Sequence, residues 1–378
     1  MDGVTGHPLP RAAQPFDNVT VIGAGAYGTA LAHVAAQGGM KVMLWSRRSS
    51  VADDVNHNAM NAHYLPDIPL AETLHATTDI QHALRRADAV LLVVPSKSVR
   101  EVARAMRDFV PKGIPITVCA KGIEAETGFL MSQIVESELP GHPIGALSGP
   151  TFARELAAGH PSAATLAFTF DQADRLNPEK SAAARMAVSM ATPAFRTYLS
   201  DDLVGVEIGG AVKNVIAIAC GMMGGAGFAE NTRAALITRG LDEMKALAEA
   251  LGGRRETVTG LSGIGDLTLT CSSTTSRNMS LGVQLGSGLS RDACFDGKPT
   301  VVEGEANAKS VTDLARKLSV PMPICETVRS ILHDGAPIAE TFARFWSEPI
   351  EAEPRAMSLT FEHPTSPAAP IACKEIAS

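Results

Sequence analysis

The chain has 378 residues, 45% of them hydrophobic and 19% charged, too apolar a composition for a disordered segment and too evenly charged for a membrane bundle. At roughly 100 to 200 residues per domain, this length suggests two domains. Thirty-three Lys plus Arg against forty Asp plus Glu leave a net charge of -7, so the chain has no broad attraction for nucleic acid or anionic lipid, and an anionic ligand needs a local basic site.

Met1 to Phe16 is Pro-rich and lacks an apolar signal core, which makes the cytoplasm the simplest expected address. Asn18 to Ile22 reads as a strand that ends at Gly23-Ala24-Gly25-Ala26-Tyr27-Gly28, and Thr29 to Gln37 reads as a helix closed by Gly38-Gly39. Further strands are expected at Lys41 to Trp45, Ala89 to Val94 and Ile116 to Ala120. Continuous apolar strands alternating with helices imply an α/β fold with a parallel sheet covered on both faces. Beyond about residue 200 the periodicity is helical, over Leu203 to Gly221, Thr232 to Leu251, Ala306 to Leu318 and Glu326 to His333.

The expected domains are therefore 17–202, a dinucleotide-binding α/β unit, and 203–345, an all-helical unit, with a Pro- and Ala-rich tail over 346–378. The apolar run Leu203 to Ala226 is interrupted by Glu207, Lys213 and Asn214, and reads as a buried helix rather than a membrane span. Cys119, Cys220, Cys271, Cys294, Cys325 and Cys373 form no CxxC pair and the ten histidines no HExxH, so neither a metal site nor a disulfide framework is expected.

Several stretches carry chemistry. The GxGxxG of Gly23, Gly25 and Gly28, between a strand and a helix, suits a dinucleotide pyrophosphate: a tight turn, close backbone approach, close helix packing and a helix N-terminus. Where an NAD-selective fold places an acid, after the second strand, the chain reads Trp45-Ser46-Arg47-Arg48; two guanidinium groups suit a 2'-phosphate, so NADP is the preferred cofactor and NAD the second choice. Lys121 follows a strand end, where ligands bind in open sheets, and Ser148-Gly149-Pro150-Thr151-Phe152-Ala153 offers a turn with backbone donors. Lys213 lies among small apolar residues. Desolvation, or a second cation such as Lys121, would lower its pKa toward proton transfer, although a snorkelling lysine or one neutralised by a carboxylate fits the spacing equally. Gly260 to Ser273 reads as a Gly-punctuated polar insertion carrying Asp266, followed by Ser276-Arg277-Asn278; that trio fits either a phosphate clamp or a helix N-cap.

The ordered set Gly23 to Gly28, Lys121-Gly122-Ile123-Glu124, Ser148 to Ala153, Gly210 to Val215, Gly260 to Ser273, Ser276-Arg277-Asn278 and Val301-Val302-Glu303-Gly304 resembles the bacterial-type NAD(P)-dependent glycerol-3-phosphate dehydrogenases over about residues 17 to 345. The resemblance implies a Rossmann-type domain followed by a helical domain, interconversion of dihydroxyacetone phosphate and sn-glycerol 3-phosphate for phospholipid synthesis, and a homodimer without stable membrane insertion. It implies that Gly23, Gly25, Ala26, Tyr27, Gly28, Arg47, Arg48, Lys121, Ala153, Arg277, Val301 and Glu303 serve the cofactor. Lys121, Gly149, Thr151, Lys213, Asp266, Ser276, Arg277 and Asn278 would serve the substrate, with Lys213 as acid/base assisted by Lys121 and Asp266. Ala26 stands where the family often carries Ser or Thr, and Met279 where it often has a polar or basic residue. Two competing readings are a reductase of 2-keto acids, which would lack the phosphate clamp, and a non-catalytic NADPH sensor.

Overall fold

The computed structural model describes residues 12–347, 350–351 and 360–361. Most of the expected tail, with Cys373, and the chain before residue 12 lie outside these residues. The chain folds into two compact units. One takes the described residues up to Ala120 with Ile134–Leu147 and Thr151–Leu203, the other Lys121–Gln133, Ser148–Pro150 and the described residues from Val204 onward.

The first unit is built on β1 (Asn18–Ile22), β2 (Lys41–Trp45), β3 (Leu74–Thr77), β4 (Ala89–Leu92), β5 (Ile116–Val118), β6 (Ile144–Ser148), β7 (Ser162–Phe168) and β8 (Phe195–Ser200). They form one eight-stranded sheet in the order β3-β2-β1-β4-β5-β6-β7-β8. β1 pairs in parallel with β2 and β4, and Val21 faces Leu44 on one side and Leu91 on the other. These three side chains share one face and are fully buried, and Thr20 and Val90, partners on the other face, are buried too, as expected when helices cover both faces of a sheet. The helices of this part of the chain are α1 (Ala26–Gln37), α2 (Ser49–Asn58), α3 (Ile80–Leu84), α4 (Val99–Met106), α5 (Met131–Glu138), α6 (Ala153–Ala157), α7 (Gln172–Leu176) and α8 (Ala182–Met190). Because the chain passes from β3 on one side of β1 to β4 on the other, the topological switch lies at the carboxyl ends of β1 and β4.

Several expected boundaries shift. α1 begins at Ala26 rather than Thr29, so the helix takes in the last glycine of the cluster. β4 and β5 end at Leu92 and Val118, two residues early.

The second unit holds α9 (Leu203–Gly225), α10 (Glu230–Ala250), α11 (Arg255–Val258), α12 (Asp266–Ser272), α13 (Arg277–Gly286), α14 (Glu303–Lys317), α15 (Pro323–Asp334) and α16 (Ile338–Trp346). Beyond them a two-residue strand β9 (Ile350–Glu351) pairs antiparallel with β10 (Thr360–Phe361). α9 is long and apolar enough to cross a membrane, yet 89% of its most apolar window is buried inside the fold. A helix apolar on all sides requires such a setting. The expected insertion over Gly260 to Ser273 is helical instead: one wide π-type turn over Leu261–Gly265 leads directly into α12.

Glycines set how near α9 and α13 come. A Cβ on Gly221 would lie 2.3 Å from the Met279 carbonyl oxygen and one on Gly225 2.1 Å from that of Val283. Reciprocally, a Cβ on Gly282 would lie 2.3 Å from the Ile218 oxygen and one on Gly286 2.1 Å from that of Met222. The two helices touch backbone to backbone along this seam, which explains why Met279 is a buried core residue. Gly282→Ala should therefore destabilise the protein by about 1–3 kcal/mol through overpacking, read as a lower urea midpoint; an unchanged midpoint would contradict the seam.

Candidate active site

In the second unit the expected lysines converge on one carboxylate. Lys213 Nζ donates to Asp266 Oδ1 at 2.6 Å and Lys121 Nζ donates to Asp266 Oδ2 at 2.6 Å. Lys213 comes from the middle of α9, Asp266 from the first position of α12, and Lys121 from the segment that follows β5. The Lys213 and Asp266 side chains are nearly closed to solvent, while that of Lys121 keeps 15% of its surface. Gly210 makes room for the third member: a Cβ there would lie 3.2 Å from Lys121 Cγ.

Charge and burial pull in opposite directions here. Burial pushes the Asp266 carboxyl upward, but the charges and hydrogen bonds of Lys121 and Lys213 outweigh it and hold the group below its ordinary value. For Lys213, burial lowers the pKa, the Lys121 charge lowers it further, and Asp266 and Glu303 raise it, leaving it at about 8. Both sequence readings of Lys213 thus hold together: the lysine is desolvated beside a second cation and also paired with a buried carboxylate.

Two further residues belong to this centre. Lys213 Nζ also donates to Thr270 Oγ1 at 2.8 Å, and Thr270 in turn donates to Asp266 Oδ1. Thr270 and Asp266 are four residues apart on α12, one turn of helix, a spacing hidden while the stretch read as an insertion. Asn214 Nδ2 donates to Glu303 Oε2 at 3.3 Å, and Asn214 Oδ1 accepts from Asn278 Nδ2 at 2.9 Å. Asn214 lies beside Lys213 in the Gly210 to Val215 stretch, and the sequence showed it only as one of three polar interruptions of the apolar run, with no role attached.

The expected phosphate trio has divided employment. Ser276 is the N-cap of α13, its hydroxyl accepting from the Met279 N–H at 3.3 Å. The buried Asn278 amide is engaged at both ends, since its Oδ1 also accepts from the Gly304 N–H at 2.9 Å. Arg277 is exposed at the first position of α13, and Val301 is exposed two residues before Glu303 opens α14. Gly149 is buried in the turn after β6, next to a buried Ser148.

In the first unit the glycine turn stands at the carboxyl end of β1. Gly23 has φ +118 and its Cβ would meet the Val93 carbonyl oxygen at 2.3 Å, while a Cβ on Gly28 would meet the Gly23 oxygen at 1.8 Å. The fold itself requires both glycines. Gly25 differs: its backbone angles suit any residue and a Cβ there would meet nothing within 4 Å. Open space above a helix start, whose first N–H groups have no acceptor within the helix, fits a pyrophosphate. Ala26, Tyr27 and Ala153 pack on the core of this unit, and Thr151 Oγ1 donates to the Tyr27 hydroxyl at 3.0 Å. Arg47 and Arg48 are exposed beyond β2, Arg48 donating to His63 Nε2 at 2.6 Å and lying over the Tyr64 ring. The residues present fit a nicotinamide dinucleotide.

A doubly wound sheet with a glycine turn at its switch point, in one chain with a helical unit that buries a Lys-Asp-Lys centre, defines a two-domain nicotinamide-dependent dehydrogenase. The family model for the NAD-dependent glycerol-3-phosphate dehydrogenase N-terminus matches residues 18–174, and that for the C-terminus matches residues 202–343. The glycerol-3-phosphate dehydrogenase [NAD(P)+] of Rhodospirillum rubrum is 43% identical over 353 residues, covering 93% of this chain and 98% of its own. That of Novosphingobium aromaticivorans is 45% identical over 336 residues, covering 89% and 98%. Among solved structures, the glycerol-3-phosphate dehydrogenase of Coxiella burnetii superimposes with a TM-score of 0.81 at 37% identity, covering 88% of this chain and 99% of that one. The chain belongs to the NAD-dependent glycerol-3-phosphate dehydrogenase family.

The charge balance of the centre is testable. Asp266→Asn leaves two ammonium groups without their buried counter-charge and should cost about 3–5 kcal/mol of stability by denaturant titration. A variant as stable as the parent would show that the pair is not a buried unit.

Proposed function

We propose that the chain is an oxidoreductase that interconverts dihydroxyacetone phosphate and sn-glycerol 3-phosphate with NAD(P)H, supplying glycerol phosphate for phospholipid synthesis. The observation that carries the reading is Lys213: a buried ammonium titrating at about 8, within hydrogen-bond reach of Asp266 and Thr270, in a chain of this family. When bound, the nicotinamide supplies a hydride to C2 of the ketone. Lys213 gives the proton that the C2 oxygen gains, and takes it back in the reverse direction. Balance requires one hydride and one proton per ketone reduced.

Asp266 and Thr270 hold the Lys213 ammonium in one place, which converts proton transfer into a step between fixed partners. Lys121 adds a second positive charge close to the oxygen that becomes negative. Arg277, with Ser276 and Asn278 beside it, holds the unreacting phosphate, so binding energy from a remote group positions the carbonyl. Gly149 and Thr151 line the substrate, and Glu303 and Val301 the cofactor. Arg47 and Arg48, where an NAD-selective fold would carry an acid, favour NADPH over NADH. A homodimer in the cytoplasm completes the proposal and rests on the family resemblance.

The pH dependence follows from the sign of the shift. Lys213 is protonated below about 8 and neutral above it, so ketone reduction should hold steady at lower pH and fall above about 8, while alcohol oxidation should rise through the same window. Lys213→Ala should lower turnover by about 10²–10⁴ and abolish that pH limb with NADPH affinity retained; near-normal turnover would reject the proton-transfer role.

The clamp has its own measurement. Arg277→Ala should raise the KM for dihydroxyacetone phosphate about tenfold or more while leaving the weak activity on unphosphorylated dihydroxyacetone unchanged. Equal losses on both ketones would count against a phosphate contact.

A further inference from the structure

α9 buries a second ionisable residue that the chemistry above does not use. Glu207 lies six residues before Lys213, its carboxylate accepting from the Ser132 N–H at 2.9 Å and from the Ser132 hydroxyl. The Met131 N–H donates to it as well. Burial pushes the carboxyl up to about 7 against these three donors, so the group sits in its pocket at an energetic cost. A pair of apolar side chains would hold two segments together without that cost. A directional acceptor instead fixes which atoms meet.

The segment it grips leads to Lys121. Ile123 and Leu130 form an antiparallel bridge, the Glu124 N–H donates to the Phe129 oxygen at 2.9 Å, and the Gly128 N–H to the Glu124 oxygen at 2.8 Å. Residues 123–130 are thus a closed hairpin. Lys121 stands two residues before the bridge and Ser132 two residues after it, at the same open end. α9 meets this end at three positions spaced three apart, which share one helix face. Glu207 grips Met131 and Ser132, the missing side chain of Gly210 lets the Lys121 stem pass, and Lys213 meets the Lys121 tip at Asp266.

We propose that Glu207 is a positioning residue for the reaction, pinning the 121–133 hairpin to α9 and so fixing the place of the Lys121 ammonium against Asp266 and Lys213. This rests on the proposed chemistry of the Lys-Asp-Lys centre. Its consequence is that the ionisation of Lys213 depends on a residue that does not touch it. Loosening the hairpin withdraws the Lys121 charge, one of the influences that hold the Lys213 pKa down. Asp266, Glu303 and Cys271, the other ionisable groups that act on or neighbour Lys213, stay where they are.

The test is a double-mutant cycle in the full-length protein, with steady-state ketone reduction measured across pH for Glu207→Gln, Lys121→Met and the double variant. Expected are a fall in kcat of about tenfold or more for Glu207→Gln, a KM for NADPH within about twofold of the parent, and an alkaline limb moved to higher pH as in Lys121→Met. In the double variant Glu207→Gln should add no further loss. Multiplying effects, a Glu207→Gln variant that loses only thermal stability, or a Lys121→Met variant with parental turnover would each overturn the proposal. If Glu207→Gln fails to fold, Ser132→Ala, which keeps the backbone donor, takes its place in the same cycle. The coupling is read between Glu207 and Lys121 whichever group moves the proton, so a failed Lys213→Ala experiment would be distinguishable from a failed cycle.

Discussion

One carboxylate organises the helical unit. Asp266 bridges two ammonium groups that arrive from different parts of the chain, Lys213 from the middle of α9 and Lys121 from the segment after β5. Either lysine alone beside Asp266 would make a neutral pair; both together leave a surplus positive charge in a largely dry place. Such a surplus is unfavourable until a negative group joins it, and in the proposed reaction that group would be the alkoxide. Burial first, and the Lys121 charge after it, explain why Lys213 can release its proton near physiological pH although a carboxylate lies at hydrogen-bond distance.

Glycine is used here for two different physical ends. At Gly23 and Gly28 the fold has no room for a side chain, whereas at Gly25 it has room that no protein atom fills. Between α9 and α13 the glycines are a packing device, bringing two backbones into direct contact. That approach sets Asn278, near the start of α13, against Asn214 of α9, and thereby the place of Arg277 as well. The reach of the exposed guanidinium is thus governed by four residues that carry no side chain.

Much of the framework could be read from residues alone. β1 and β2 have the boundaries their β-branched and apolar runs suggest, β1 buried at four of its five positions and β2 alternating buried with more exposed ones. β3, β6, β7 and β8 carry His, Gly, Ser, Thr and Arg among their apolar residues, and the pattern does not stand out. Lys213 was legible because one charge among small apolar neighbours is conspicuous. Its partnership with Asp266 came from the family resemblance and not from the residues themselves, since the glycines before Asp266 read as a loop while the chain in fact makes a wide helical turn there. With that helix unseen, the one-turn spacing of Asp266 and Thr270 could not be noticed. The readings of Ser276 and Asn278 were open between ligand contact and helix capping; Ser276 caps α13, and both ends of the Asn278 amide are hydrogen-bonded within the protein.

The burial of α9 also bears on how the protein is made. Among the described residues its core partners, from Leu236 to Phe342, all follow it in the chain apart from Ile123 and Leu130. Synthesis runs from the N-terminus at about 5–20 residues per second, so an apolar helix leaves the ribosome and waits on the order of ten seconds for roughly 120 further residues to be added. During that interval it has the hydropathy of a membrane segment and only a fraction of its final neighbours. Biogenesis, more than the finished fold, is where this helix must be sheltered from aggregation and from insertion into a bilayer.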